Sequence, residues 1–152
     1  MGTVVLQLRG ARQLFPCWDE PELSTTFDIS VKHKINYKVL SNMPIREYEF
    51  VANNWMYTLF HTTPPMSINE VAIVMYDVYD LYKVPNSTNI VNTWCRSHLI
   101  SHMKFVDLVA GNVTKHLEIY WKTVKRTQRM NYVAIPNLVD RIWQTYGLVI
   151  YK

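Results

Sequence analysis

The segment 11–44 limits the possible folds of this chain most strongly, because its first third contains two prolines, Pro16 and Pro21. Pro16 and Pro21 each fix their own φ and push the preceding residue out of the helical region, so the residues between them form an ordered, non-helical corner. Phe15 and Trp18 are predicted to bury apolar area at this corner. A strand is expected directly after it.

Three motifs follow one another along the chain. They read ARQLFPCWDEP at 11–21 with LSNMP at 40–44, HTTPPMS at 61–67, and IPNL at 135–138 with YGLV at 146–149. In this order they resemble the zinc aminopeptidases related to aminopeptidase N, which carry A-R-x-x-F-P-C-[FW]-D-E-P…L-S-N-M-P, then F-x-x-T-P-x-M-S, then L-P-D-F…W-G-L-V. The resemblance spans nearly the whole chain.

The resemblance implies an α+β, mainly β fold. Residues 1–84 would be the distal part of the family's amino-terminal β-sandwich domain. Residues 85–152 would begin the catalytic domain, with one helix at about 98–124 and the first strands, but without the zinc-binding part.

The chemistry of the family is altered at the segment that precedes YGLV. Family members hold substrate through G-A-M-E-N, whose Glu binds the free amino group. Here the five positions are Arg141, Ile142, Trp143, Gln144 and Thr145. Gln144 replaces the carboxylate with a neutral amide, which loses the charge-assisted part of a hydrogen bond to an ammonium group. Arg141 and Trp143, a cationic and a bulky side chain on the same segment, are expected to oppose the binding of a cationic amino terminus.

A second substrate element of the family, T-Q-x-E, corresponds to positions 4–7. Val5 and Gln7 stand where the family has Gln and Glu, so both amine-binding carboxylates are lost. The zinc-binding H-E-x-x-H motif, which follows W-G-L-V in the family, does not occur in these 152 residues. The resemblance therefore implies zinc as the family's cofactor, but no catalytic or metal-binding residue in this chain.

Composition indicates a folded domain, since 49% of the residues are hydrophobic and 13% aromatic. The net charge is +4, and its densest basic run, at 122–129, is expected at a helix carboxy terminus, where cations complement the dipole. We therefore predict no nucleic-acid partner. No apolar run reaches the roughly 20 residues of a membrane span. No signal peptide is recognised, and the compartment is not assigned, although family members are often extracellular or at the plasma membrane.

Cysteine, histidine and asparagine motifs give weaker signals. Cys17 and Cys95 have no metal-ligand spacing, and two buried free thiols are favoured over a disulfide. His98 and His102 lie one turn apart, but Leu99 stands where a zinc peptidase needs Glu, so no metal site is predicted. N-glycosylation triplets at 86–88 and 112–114 would matter only in a secreted protein.

Local patterns predict strands first and a helix later. Apolar residues alternate over 27–36 with His33 on the apolar face, and Asn53-Asn54 suits a hairpin turn between strands. Residues 70–82 are expected to form one long central strand, and 90–95, 131–135 and 147–151 further strands, the last two around an irregular segment. Ser97 is the expected N-cap of the helix. A stripe predicted to be buried runs along it through Leu99, Met103, Val106, Ala110, Val113, Leu117, Tyr120 and Val124.

Two functions remain open at this point. In the favoured one, the chain is a truncated, catalytically inactive relative of a zinc aminopeptidase that survives as a peptide- or protein-binding module or as a degenerate gene product. In the other, it is a portion of a working metallopeptidase whose zinc residues lie in further sequence. Incomplete sheets also predict exposed strand edges, and with them self-association or a protein partner.

Overall fold

A computed structural model describes residues 2–5, 15–18, 20–85, 91–120, 130–135 and 142–152. The chain divides into two compact units, Met1–Val78 and Tyr79–Lys152. The predicted α+β, mainly β fold is confirmed, since thirteen strands accompany a single long helix in the described part. The assignment of residues 1–84 and 85–152 to two enzyme domains stays a prediction.

The first unit contains eight strands in three antiparallel groups. Their bounds are β1 Gly2–Val5, β2 Ser24–Thr25, β3 Ser30–Lys34, β4 Tyr37–Ser41, β5 Ile45–Val51, β6 Trp55–Phe60, β7 Met66–Ser67 and β8 Ala72–Asp77. One sheet has the order β1-β8-β4 and another β3-β6-β5, while β2 pairs with β7. Alternate residues of β6 and β8 are buried, the period-two pattern of strands that pack one face on a core.

Two sequence predictions in this unit are confirmed. Asn53 and Asn54 form the β5–β6 turn with φ values of 63° and 62°, the left-handed region that asparagine tolerates. His33 is buried, and its Nε2 lies 2.7 Å from Thr58 Oγ1 and its Nδ1 2.9 Å from the Lys34 carbonyl oxygen. Because a carbonyl only accepts, Nδ1 is the donor in the contact with Lys34.

Two other predictions are wrong. Phe15 and Trp18 are exposed, Trp18 by 83%, so neither anchors the proline corner within the described residues. Residues 70–82 do not form one strand. Ser67 and Glu70 make a capping box that begins a 3-10 turn at Ile68–Glu70, and β8 then ends at Asp77. As predicted, β8 is the central strand of its sheet.

The LSNMP and HTTPPMS motifs supply hydrogen bonds that join strand ends. Asn42 Oδ1 accepts from the Ala72 amide at 2.9 Å and its Nδ2 donates to the Glu70 carbonyl at 2.7 Å. Thr63 Oγ1 accepts from the Phe27 amide at 2.8 Å. These buried side chains thus pair with main-chain groups at the start of β8, in the 3-10 turn before it and between β2 and β3.

The second unit is a five-stranded mixed sheet with one helix. Its elements are β9 Tyr82–Lys83, β10 Val91–Cys95, α1 Ile100–Tyr120, β11 Met130–Ala134, β12 Ile142–Thr145 and β13 Leu148–Tyr151. The sheet order is β12-β13-β11-β10-β9, with β10, β11 and β13 parallel and both outer strands antiparallel to their neighbours. Helix α1 lies between the parallel strands β10 and β11 in the chain, and a helix is the usual connection between two neighbouring parallel strands.

The first part of the predicted apolar stripe packs on this sheet, since Met103 is buried and Leu99 and Val106 pack against the same core. The later part does not, and Val124 lies outside the described residues. The buried residues of α1 are Met103, Asp107 and Gly111, whereas Val113, Leu117 and Tyr120 are exposed by 51%, 41% and 73%. The first turn packs on Val84, Cys95 and Ala134, and Thr93 fixes the rotation of the helix by donating to Asp107. Hydrophobic spacing did not reveal this polar anchor.

The start of the helix also differs. A 3-10 turn, Ser97–Leu99, precedes α1, and Arg96 occupies its cap position without a capping side-chain bond, so the predicted Ser97 cap is wrong.

Strands were correctly predicted at 90–95, 131–135 and 147–151. The segment expected to be irregular contains β12 instead, because it pairs with β13.

Candidate functional site

Residues 142–145 of the site predicted from sequence form β12, which makes a hairpin with β13. The pairs are Ile142 with Tyr151, Trp143 with Ile150, Gln144 with Val149, and Thr145 with Leu148. Tyr146 and Gly147 form its two-residue turn, and Gly147 has a φ of 72°. This positive φ at the second turn position is what glycine supplies at low steric cost. The turn thereby fixes the register of the hairpin.

Hydrogen bonds to β11 determine which main-chain groups of the hairpin face outward. The Gly147 carbonyl accepts from the Asn131 amide at 2.9 Å, and the Tyr151 carbonyl from the Ile135 amide at 2.8 Å. Odd-numbered residues of β13 therefore face β11, and Leu148 and Ile150 face β12. Since antiparallel pairs alternate between bonded and non-bonded, Thr145 and Trp143 bond to β13.

Ile142 and Gln144 consequently direct their N–H and C=O groups to the other side of β12. Among the strands that the structure describes, β12 has β13 as its single neighbour. We call this side the open edge of β12. It offers two N–H donors and two carbonyl acceptors in the spacing of a strand, which is the requirement for adding an extended peptide.

The side chains of β12 alternate in burial. Ile142 and Gln144 are exposed, Trp143 is half-buried and Thr145 is buried. The Thr145 hydroxyl lies 3.3 Å from the Tyr146 carbonyl, to which it donates. None of the four is acidic. An extended ligand at the open edge would meet an aliphatic chain and a neutral amide, with no carboxylate on the strand to attract an ammonium group.

The remaining predicted residues belong to the first unit or lie outside the described residues. Val5 ends β1 and pairs with Ala72 in the first unit. Gln7 and Arg141 lie outside the described residues. Ile142, Trp143, Gln144 and Thr145 are therefore the predicted positions that the structure places together.

The residues that the structure describes do not fit a zinc ion. Over the described ranges, no group of three His, Cys, Asp or Glu side chains could hold a metal. His98 lies in the 3-10 turn and His102 in α1, and both are exposed. Two imidazoles one turn apart fall short of the three protein ligands of a catalytic zinc site.

A buried polar network supports the sheet behind the site, and sequence analysis missed it. Thr93 Oγ1 on β10 donates to Asp107 Oδ1 at 2.7 Å, and both residues are almost fully buried. The hydroxyl of Tyr151, the partner of Ile142, lies 3.7 Å from Met103 Sδ. An aspartate inside an apolar helical segment was the available signal, because a buried carboxylate requires partners.

Burial also governs the ionisable groups next to this network. It raises the pKa of Tyr151 to about 12, with smaller contributions from Cys95, Tyr132 and Asp107. Burial likewise raises the pKa of the Cys95 thiol. Both groups therefore stay protonated at neutral pH, and neither is activated as a nucleophile. Both cysteines are free thiols as predicted, but Cys17 is half-exposed.

Comparison with known proteins gives consistent matches. The Peptidase M1 N-terminal domain family matches residues 4–68. Mouse aminopeptidase Q is 32% identical over 93% of the chain, and rabbit aminopeptidase N is 30% identical over 100% of the chain. Human glutamyl aminopeptidase is 27% identical over 93% of the chain. The chain spans 26%, 16% and 15% of these three relatives respectively.

Proposed function

Because the chain belongs to the M1 family of zinc aminopeptidases typified by aminopeptidase N, we propose that it binds extended peptides along the open edge of β12. We propose further that the 152 residues by themselves do not hydrolyse them. The sequence resemblance aligns this strand with G-A-M-E-N, the segment with which the family holds its substrate, and this alignment supports the proposal. The outward N–H and C=O groups of Ile142 and Gln144 are the observation that carries the proposal.

Binding of this kind depends on the main chain of the protein. An extended peptide pairs with an edge strand through N–H and C=O groups, so affinity arises largely from bonds that any side chain leaves in place. Gln144 provides no negative charge, and a neutral amide binds an ammonium group more weakly than a carboxylate does. The site should therefore accept acetylated and free amino termini alike.

Inactivity is proposed on two observations. These 152 residues contain no H-E-x-x-H, and the described ones hold no cluster of three metal-ligating side chains. Water activation by zinc needs three protein ligands around an open position. Purified alone, the chain should not release amino-terminal residues from an aminoacyl reporter, and chelator-sensitive turnover that scales with protein purity would contradict this.

The second candidate function is a contribution to an active zinc aminopeptidase. It is favoured by the similarity to relatives of which the chain spans about a sixth to a quarter. In that case the open edge of β12 would align substrate for zinc residues in further sequence. A transcript that encodes H-E-x-x-H downstream of Lys152 would favour this candidate.

Exposed strand edges could also recruit a protein partner or a second copy. The edge strand β5 exposes Tyr48 and Phe50 by 52% and 78%, and apolar edges favour association. Light scattering of the purified chain would measure its association directly.

None of the helices among the described residues has the length and apolar character needed to cross a bilayer.

The test of peptide binding compares two variants at one position. Gln144→Pro removes an outward N–H that an edge strand can lose without disturbing its pairing, so peptide affinity should fall. Gln144→Ala keeps the main chain and should bind like the natural chain. Circular dichroism checks that both variants fold. Equal affinities for the two folded variants would overturn main-chain recognition.

Modified peptides test the same bond from the ligand. A peptide N-methylated at every second amide keeps one bonding edge and should bind, whereas one methylated at every amide should not. Acetylated and free peptides should bind equally. A preference of about tenfold for the free amine, or about 1.4 kcal/mol, would show that an amine site persists.

A further inference from the structure

Helix α1 has an apolar surface on the side opposite to its buried residues. Phe105, Leu108, Val109 and Val113 are exposed by 71%, 56%, 41% and 51%. We call these four residues the outer face of α1. Soluble proteins rarely leave such contiguous apolar area uncovered, and an uncovered patch promotes association. The chain itself carries a means of covering it.

Asn112 lies in the middle of the outer face. It follows the buried Met103 by nine residues, which at 3.6 residues per turn is about two and a half turns and places it on the opposite side. Leu108 and Val109 precede it by four and three residues, so they are its neighbours on the helix surface. Its side chain is exposed and leans toward them, because helical side chains point to the amino terminus.

Asn112-Val113-Thr114 is also an acceptor triplet for N-linked glycosylation. We propose that Asn112 carries an N-linked glycan that covers the outer face of α1. The occupant of this face is a carbohydrate, whose C–H groups pack on apolar side chains while its hydroxyl groups remain in water. An attached glycan is bulky and solubilising, and at Asn112 it adds no clash with the buried side of the helix.

The transfer requires a lipid-linked oligosaccharide pyrophosphate and the transferase of the secretory pathway. Asn112 Nδ2 forms a bond to C1 of the first sugar, the bond from C1 to the pyrophosphate oxygen breaks, and Nδ2 loses one proton to a base. The lipid pyrophosphate leaves with the bonding electrons. No oxidant or reductant is involved.

The folded helix indicates when this transfer takes place. Thr114 Oγ1 donates to the Ala110 carbonyl at 2.8 Å, so the hydroxyl of the triplet is engaged within the helix. The acceptor amide and this hydroxyl are then held apart from the arrangement that an extended chain can adopt. Modification should therefore occur during synthesis, before α1 forms.

The test is expression of the full chain behind a cleavable secretory leader in mammalian cells. Peptide-N-glycosidase should shift its mobility, and the shift should disappear in Asn112→Gln and Thr114→Ala. Thr114→Ser keeps a hydroxyl acceptor triplet and should retain the shift. Asn86→Gln is the matched control, because it removes the other triplet and should leave the shift at Asn112 in place.

Mass spectrometry of the released peptide should find aspartate at position 112, the mark of glycan removal. No modification at this position in the natural chain, or a shift that depends on Asn86 alone, would overturn the proposal. A transferase that modifies the purified folded chain as efficiently as the nascent chain would overturn the proposed order of events.

Covering of the outer face has its own readout. The unmodified Asn112→Gln chain should bind an apolar dye at least about twofold more than the glycosylated chain, because its patch is open. Adding Val109→Lys to Asn112→Gln should reverse the increase without any glycan. Equal dye binding by the glycosylated and unmodified chains would show that the glycan leaves the face uncovered.

Discussion

Replacing Thr93 by valine tests whether its hydrogen bond to Asp107 fixes α1 on the sheet. The substitution conserves side-chain shape, so it opens no cavity, and it removes the donor that lies 2.7 Å from Asp107 Oδ1. Both residues are almost fully buried, so water does not readily replace the lost donor. A hydrogen bond to a charged group contributes about 1.5–3 kcal/mol, and we expect Thr93→Val to lower the free energy of unfolding by about 2–3 kcal/mol.

Thr114→Val is the matched control on the same helix. The Thr114 hydroxyl donates to the carbonyl of its own helix at Ala110, whose oxygen is also an acceptor for main-chain bonds. Its loss should cost less than about 0.5 kcal/mol, the usual range for a substitution away from a buried network. Urea titrations followed by tryptophan fluorescence and circular dichroism measure both variants.

A double-mutant cycle with Asp107→Leu isolates the pair. Asp107→Leu removes every interaction of the carboxylate in both backgrounds, so the cycle retains only the term shared with Thr93. The double variant should lose less free energy of unfolding than the two single variants lose together, and the difference should be about 1.5–3 kcal/mol. Additive costs, or equal costs for Thr93→Val and Thr114→Val, would refute the role of this bond in orienting the helix.

Two further predictions concern the second unit. Met103→Asp should unfold this unit, because a charge would replace a buried side chain at a cost of several kcal/mol. Leu117→Asp changes a side chain that is 41% exposed and should cost less than about 1 kcal/mol. Similar urea midpoints for the two variants would contradict the observed helix face. The second prediction concerns pH, because burial raises the pKa of Tyr151 from 10.0 to about 12. Above pH 10 the unfolded chain gives up a proton that the folded chain keeps. The free energy of unfolding should therefore fall by up to about 1.4 kcal/mol per pH unit until pH 12. Tyr151→Phe should flatten this part of the profile in urea titrations at pH 9 to 11, and an unchanged slope would exclude Tyr151 as its source.

The sequence predicted strands wherever one face alternates and a turn residue marks the end. Residues around His33 alternate, and Asn53-Asn54 forms the turn, so β3, β5 and β6 were found in the right places. The strand β12 was missed because four residues without a charge or a turn signal give no periodic pattern. Its strand character comes from pairing with β13, which is a contact beyond its own segment.

Helix α1 illustrates a different difficulty. Apolar residues occupy more than one of its faces, so spacing identified the helix and its buried Met103 but also assigned Val113, Leu117 and Tyr120 to the buried stripe, and these three are exposed. The side that contacts the sheet contains Asp107, which hydrophobic periodicity counts as a solvent position. The candidate site itself came from the resemblance to a family, since the residues at 142–145 have no catalytic character of their own.

The motifs that carry the resemblance and the positions that depart from it do different physical work. Asn42 and Thr63 complete main-chain hydrogen bonds at strand ends, so their contribution is to the fold. Gln144 belongs to the site that we propose, and there the sequence resemblance aligns it with the family's amine-binding Glu. The outward N–H and C=O groups of Gln144 depend on the pairing of β12 with β13 and on the turn at Gly147. An edge strand without a charged side chain therefore still presents the main-chain groups that can pair with an extended peptide.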